Sequence, residues 1–193
     1  MSTLDEEDRR EYYRIEDTIA LEIRPLSAPE AAGQEVLQDA SPLFNLLSEL
    51  HLSEFESQHL LRQISERDRA IAAFLKSQNK RIDLLSQVIA LTVLGHIGEP
   101  QPVIISEGGI DFQHPTALAN GAHLSVKLVL MPQALGLLLR ARVTHCDRKG
   151  EGFDVGTEFE HLTDAQRQLL ARYILQKQAQ ERRLAREQNE SGI

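Results

Sequence analysis

Between Tyr12 and Arg24 apolar residues recur at Ile19, Leu21 and Ile23, the two-residue period of a half-buried strand. Pro25 and Pro29 close that strand, and a mixed stretch leads to Ser41-Pro42. A serine N-cap followed by proline at the first helical position predicts that helical structure begins there. Ser53, with Glu56 three residues on, has the form of a capping box, so a short helix is expected to give way to a long one. No proline or glycine interrupts the chain from Ser53 to Leu94, which predicts a helix of roughly 40 residues, about 60 Å long at 1.5 Å per residue.

Within that helix Ile71, Leu75, Gln78, Ile82, Leu85, Ile89, Thr92 and His96 step alternately by four and three, the spacing of a heptad seam. Phe74, Leu84, Val88, Leu91 and Leu94 widen the apolar face beyond what a two-stranded coiled coil covers. Isoleucine at one core position points the same way, so more than two helices are expected to meet. Gln78 in mid-helix either specifies register or marks a loosely packed stretch. The competing reading is a core helix of a monomer. Against it, the sequence offers no intrachain helix of matching length.

Gly95, Gly98 and Pro100 end the helix, and strand patterns return. Val103–Ile105, Leu124–Leu130, Leu137–Val143 and Phe153–Phe159 are short apolar or alternating runs separated by turn residues, as in a small antiparallel barrel. Thr163 or Asp164 then caps a last helix with an inward stripe of Leu169, Leu170, Tyr173 and Ile174. The polar run after it, QKQAQERRLAREQNESGI, is expected to fray. The fold class expected is α+β: an antiparallel β-barrel, a C-terminal helix and a long inserted coiled-coil helix. Its segments are 1–29 (arginine segment and first strand), 30–97 (helical insertion), 98–162 (remaining barrel) and 163–193 (helix and tail).

Composition narrows the function. At 193 residues, with 41% apolar and 26% charged, the chain has ordinary globular usage. A single cysteine, Cys146, forbids an intramolecular disulfide and suits a reducing cytoplasm. The opening MSTLDEEDRR holds no apolar stretch, so neither a signal peptide nor a membrane span is expected, and a cytoplasmic location follows. A formal charge of −8 opposes binding to a nucleic-acid polymer. A small dinucleotide is another matter, because a few arginines in one pocket dominate the local field. The seven histidines form no H-x-x-x-H or H-E-x-x-H group, and His145, Cys146 and Asp147 alternate faces on a strand, so no metal site is expected. No nucleophile elbow, P-loop or dinucleotide fingerprint is present, so no catalytic residue, enzymatic activity or cofactor is expected.

Arg9-Arg10-Glu11-Tyr12-Tyr13-Arg14 stands just before the first strand, with Arg10 and Arg14 in an R-x-x-x-R spacing. The planar guanidinium fork pairs with phosphate oxygens or with the O6/N7 edge of guanine, and stacks on purine faces. Alone, such a pair is more often a solvated turn. Ser106-Glu107-Gly108-Gly109-Ile110-Asp111-Phe112 follows a later strand. Gly121 and the run Val155-Gly156-Thr157-Glu158-Phe159 come next, ahead of the final helix. In this order the motifs resemble the PilZ domain family, over roughly Arg9–Leu26 and Val103–Lys177, with the helical block looking like an insertion of the kind that assembles some PilZ variants into tetramers. The resemblance implies a PilZ-type barrel that binds the bacterial second messenger cyclic di-GMP through R-x-x-x-R and [D/N]-x-S-x-x-G motifs. It assigns Arg10 and Arg14 to phosphates and a guanine edge, Arg9 as the extra arginine beside them, Ser106 as a hydrogen-bonding partner, and Gly109 as the residue that lets backbone pass close to ligand.

Ile104 occupies the acidic or amide position of the second motif. Isoleucine leaves guanine donors unpaired at about 1–3 kcal/mol, a tenfold to roughly hundredfold loss of affinity. Two readings stay open at this level: a receptor that offers another protein a ligand-dependent surface, or a degenerate scaffold that acts as a coiled-coil adaptor.

Overall fold

Six strands close into an antiparallel barrel in a computed structural model of the chain, which describes residues 13–33 and 37–191. They are β1 (Ile15–Pro25), β2 (Gln101–Ile105), β3 (Ile110–His114), β4 (His123–Leu130), β5 (Leu135–Lys149) and β6 (Gly152–Glu160), neighbouring one another in the order β1-β2-β3-β6-β5-β4. The helices are α1 (Ala28–Ala32), α2 (Pro42–Arg67), α3 (Arg69–Ile97) and α4 (Asp164–Ser191). The predicted runs extend to become β1, β2, β4, β5 and β6. β3 is an addition, too short for its alternation of buried Ile110, Asp111 and buried Phe112 to stand out in the sequence.

The described residues divide into two compact units. One comprises residues 13–18, 101–123 and 141–191; the other comprises residues 19–33, 37–100 and 124–140. In the first, the β2–β3 hairpin pairs Val103 with Phe112 and Ile105 with Ile110, and β3 pairs Phe112 with Val155 of β6, so apolar side chains meet on the buried face. The stripe Leu169, Leu170, Tyr173 and Ile174 is buried, as its spacing predicts. Asp17 of β1 accepts hydrogen bonds from the Tyr173 hydroxyl and, at 2.8 Å, from Lys177 Nζ, which ties α4 to the first strand. α4 continues to Ser191 rather than fraying after Ile174, a correction to the expected tail.

The second unit holds the helices. Ser41 Oγ accepts from the Phe44 N–H with Pro42 at the start of α2, as the cap signal predicts. The single helix of roughly 40 residues is not formed. The chain breaks at Asp68, whose backbone is extended (φ −143°, ψ 105°) and whose carboxylate accepts from the Ala70 and Ile71 N–H groups, capping a new helix. Ser53 and Glu56 lie inside α2 and start nothing. α3 ends at Gly98, whose φ of 119° lies where only glycine is unstrained.

α2 packs against α3, supplying the intrachain partner that the sequence did not reveal. Phe44 and Leu47 of α2 join Ala90, Val93 and Ile97 of α3 against Ala20 of β1 and Val129 of β4 in one buried cluster. The buried line of α3 is therefore Ala72, Ser86, Ala90, Val93 and Ile97. Of the expected seam, Ile71, Ile82, Leu85 and Thr92 are exposed, while Leu75, Gln78 and Ile89 are half-buried. Apolar residues occupy both sides of this helix, and the unbroken heptad insertion is replaced by a helical hairpin.

Candidate functional site

Arg14 immediately precedes β1, and burial of Ile15 (3% exposed) pins the backbone from which its side chain extends. The guanidinium lies 3.7 Å from the Asp111 carboxylate, with the arginine side chain 56% and the aspartate 27% exposed. That separation is an ion pair without a hydrogen bond. Both residues line a cleft of about 510 Å³ together with Ser106, Gly109 and Thr157. Two sequence segments more than ninety positions apart thus meet in one site.

The Ser106–Gly109 turn joins β2 to β3 and is built from its own side chain. The Ser106 N–H donates to the Gly109 carbonyl at 2.9 Å, and Ser106 Oγ accepts from the N–H groups of Gly108 and Gly109 at 3.2 Å each. A serine hydroxyl closing a turn in this way is a local alternative to a backbone hydrogen bond. The turn is docked on β6: the Phe159 N–H donates to the Gly108 carbonyl at 2.8 Å, and Thr157 Oγ1 donates to the Ile110 carbonyl at 2.8 Å. A Cβ on Gly109 would stand 2.0 Å from the Thr157 carbonyl oxygen. Glycine is required here by the approach of β3 to β6.

Asp111 is cross-strand partner to Ile104 on one side and Gly156 on the other. Partial burial pushes its carboxyl pKa up, a rise that the nearby Arg14 and His145 oppose and Asp154 reinforces. A Cβ on Gly156 would fall 1.9 Å from the His145 ring, so the glycine of the V-G-x-x-F run makes room for an imidazole that lines the cleft. Arg142 also lines it, but its donors are engaged by Glu158 at 2.7 Å and Glu160 at 3.0 Å, and Glu160 additionally meets His123 at 2.9 Å.

Of the residues singled out from sequence, Arg14, Ser106 and Gly109 are brought together here. Arg9 and Arg10 lie outside the described residues. Asp111, His145 and Arg142 were missed. The signal for Asp111 was a lone charge between buried Ile110 and Phe112, which strand alternation turns to the opposite face. A second cleft of about 620 Å³ runs along α4, lined by Asp17, Lys149, Asp154 and Lys177, and shares Ile104 and Asp111 with the first. Only the first contains Arg14 and the glycine turn. Among the described residues there is no group of three or more His, Cys, Asp or Glu able to hold a metal ion, and no helix is long and apolar enough to cross a membrane.

The sequence profile of the PilZ domain matches residues 76–176, which takes in α3 after its first seven residues, all of β2 to β6 and the start of α4. No curated protein matches the chain. Among solved structures, a protein of Xanthomonas campestris described as a tetrameric PilZ domain self-assembled through a helical bundle aligns with a TM-score of 0.56 and 16% identity, covering 89% of this chain and 91% of that one. The inhibitor of motility of Bacillus subtilis aligns with a TM-score of 0.46 and 14% identity, over 90% of this chain and 53% of that one.

Proposed function

Because the chain belongs to the PilZ domain family, we propose that it is a cyclic di-GMP receptor without catalytic activity, acting in the cytoplasm by changing a surface that another protein reads. The observation that carries this reading is the convergence of Arg14 and the Ser106–Gly109 turn on one cleft. Arg14 supplies a guanidinium whose donors are not consumed by a hydrogen bond to Asp111, ready for a phosphate or a purine edge. Arg10 and Arg9 precede it within the same motif and are assigned to the ligand with it. Ser106 and Gly109 contribute by shaping the turn: Ser106 Oγ orients the glycine amides, and Gly109 seats the turn against β6.

Isothermal titration tests the reading. The intact chain is expected to bind cyclic di-GMP, and Arg14→Ala to lose about tenfold to a hundredfold in affinity, the value of a hydrogen bond to a charged group. Absence of heat at high micromolar ligand rejects it.

The second part of the proposal is self-assembly through α3. Ile71, Phe74, Ile82, Leu85, Val88 and Leu91 are each 45–64% exposed. At 100° per residue they occupy an arc of about 180° opposite the buried line. Covering each fully is worth about 1.5–3 kcal/mol, of which roughly half remains to be gained, a total sufficient to offset much of the cost of association. The tetramer described for the similar Xanthomonas protein, built through a helical bundle, supports the same stoichiometry here. Gln78, Thr92 and His96 fall within the same arc and the half-buried Leu75 and Ile89 stand towards its edge, so all eight residues of the expected seam lie on α3's surface or its edge.

A further inference from the structure

Ile104 and Asp111 face each other directly across the β2–β3 hairpin. Directly opposed residues of an antiparallel pair carry their side chains on the same face, with Cβ atoms about 4.5–5.5 Å apart. Both line the cleft that contains Arg14. The carboxylate missing from the β2 position is thus present at the same level of the sheet, one strand over.

We infer that Asp111 is the specificity-determining residue of this cleft, its carboxylate accepting hydrogen bonds from the N1–H and N2–H of a guanine base while Arg14 donates to that base's O6 and N7. The inference rests on the ligand reading above and adds which base is read, and by which side chain. Its chemistry is complementary throughout. Guanine presents two adjacent donors and, on its other edge, two acceptors; the cleft presents a carboxylate with two acceptor oxygens and an arginine fork that stands 3.7 Å from it without ligand and, being 56% exposed, is free to swing away to the other edge. Adenine puts an acceptor at N1, which would face the carboxylate lone pairs and be repelled. No hydrogen bond between Arg14 and Asp111 has to be broken before the base enters, since the pair is too long to contain one. Asp111 is only 27% exposed in its side chain, so a ligand that failed to pair with it would strand a partly desolvated charge. Ile104, 38% exposed beside it, offers an apolar edge against which the ring can lie.

The test is calorimetric titration of the full chain with cyclic di-GMP and with cyclic di-AMP, for the wild type, Asp111→Ala and the exchange variant Ile104→Asp/Asp111→Ile. Thermal melting of each protein monitors folding. The wild type is expected to prefer the guanine dinucleotide by more than about tenfold. Asp111→Ala should lose about ten- to a hundredfold in guanine affinity while adenine binding stays within about threefold, and the exchange variant should recover the guanine preference. If Asp111→Ala melts early, the similarly sized Asp111→Leu carries the same expectation, because it offers no acceptor to the guanine donors. A guanine-to-adenine ratio that is the same in wild type and variants overturns the inference and leaves the ligand reading standing. A wild type that binds neither dinucleotide overturns both.

Discussion

Gly109→Ala separates two roles that one glycine could have in this turn. If the residue serves to let ligand approach, alanine should reduce affinity and leave the apoprotein intact. The structure gives it, whatever its part in ligand approach, a place in the contact between β3 and β6. The added methyl would stand 2.0 Å from the Thr157 carbonyl oxygen, 3.1 Å from its carbon and 3.3 Å from the Glu158 Cα, all backbone atoms that no rotamer change can move aside. Relieving that overlap forces the hairpin off β6, at about 1–3 kcal/mol for overpacking. It also stretches the hydrogen bond from the Phe159 N–H to the Gly108 carbonyl, worth about 1 kcal/mol. The sum is about 2–4 kcal/mol, which for a domain of this size lowers the melting temperature by about 4–16 °C. Differential scanning calorimetry of the ligand-free protein measures it. A melting temperature unchanged within a degree, with cyclic di-GMP binding abolished, would refute the packing argument and return Gly109 to the ligand.

Three further outcomes follow from the same contacts. Tyr173→Phe removes the neutral donor to Asp17, whose side chain is only 11% exposed, and should cost about 1–3 kcal/mol in urea unfolding, with Lys177 keeping part of the interaction. Glu30 accepts from Arg24 and from Ser27, which lowers its pKa from 4.5 to about 2. Its contribution to stability is therefore present above pH 4.5 and lost as pH falls through about 2, so the stability difference between wild type and Glu30→Gln should vanish across that window. Val88→Asp places a charge on the exposed arc of α3 and should convert the proposed assembly to monomers in multi-angle light scattering, whereas an unchanged mass would remove α3 from the interface.

What the sequence made legible was local. Ser41-Pro42 announces α2 because cap and proline act within one turn, and the apolar or alternating runs announce five of six strands because one face of each, and both faces of β4, are buried. The break at Asp68 escaped notice because neither glycine nor proline makes it; a single carboxylate able to cap the next turn is enough. The intrachain face of α3, the line of Ala72, Ser86, Ala90, Val93 and Ile97, was not read beside the seam because apolar residues line both sides, and periodicity alone does not say which side α2 covers. In the site, Arg14 and the Ser106–Gly109 turn belong to contiguous motifs and were found. Asp111 acquires its place only through the register that sets it opposite Ile104, and His145 only through the space left by Gly156, relations that no linear spacing encodes.

The central claim is that the arginine-bearing segment before β1 and the glycine turn after β2 form one ligand site. Amide chemical-shift mapping of the isotope-labelled chain during addition of cyclic di-GMP addresses it directly. The account predicts saturable shifts at Arg14, at Ser106 to Asp111 and at Thr157, with the amides of α2 unmoved. Shifts confined to one of the two segments, or none at saturating ligand, would contradict it.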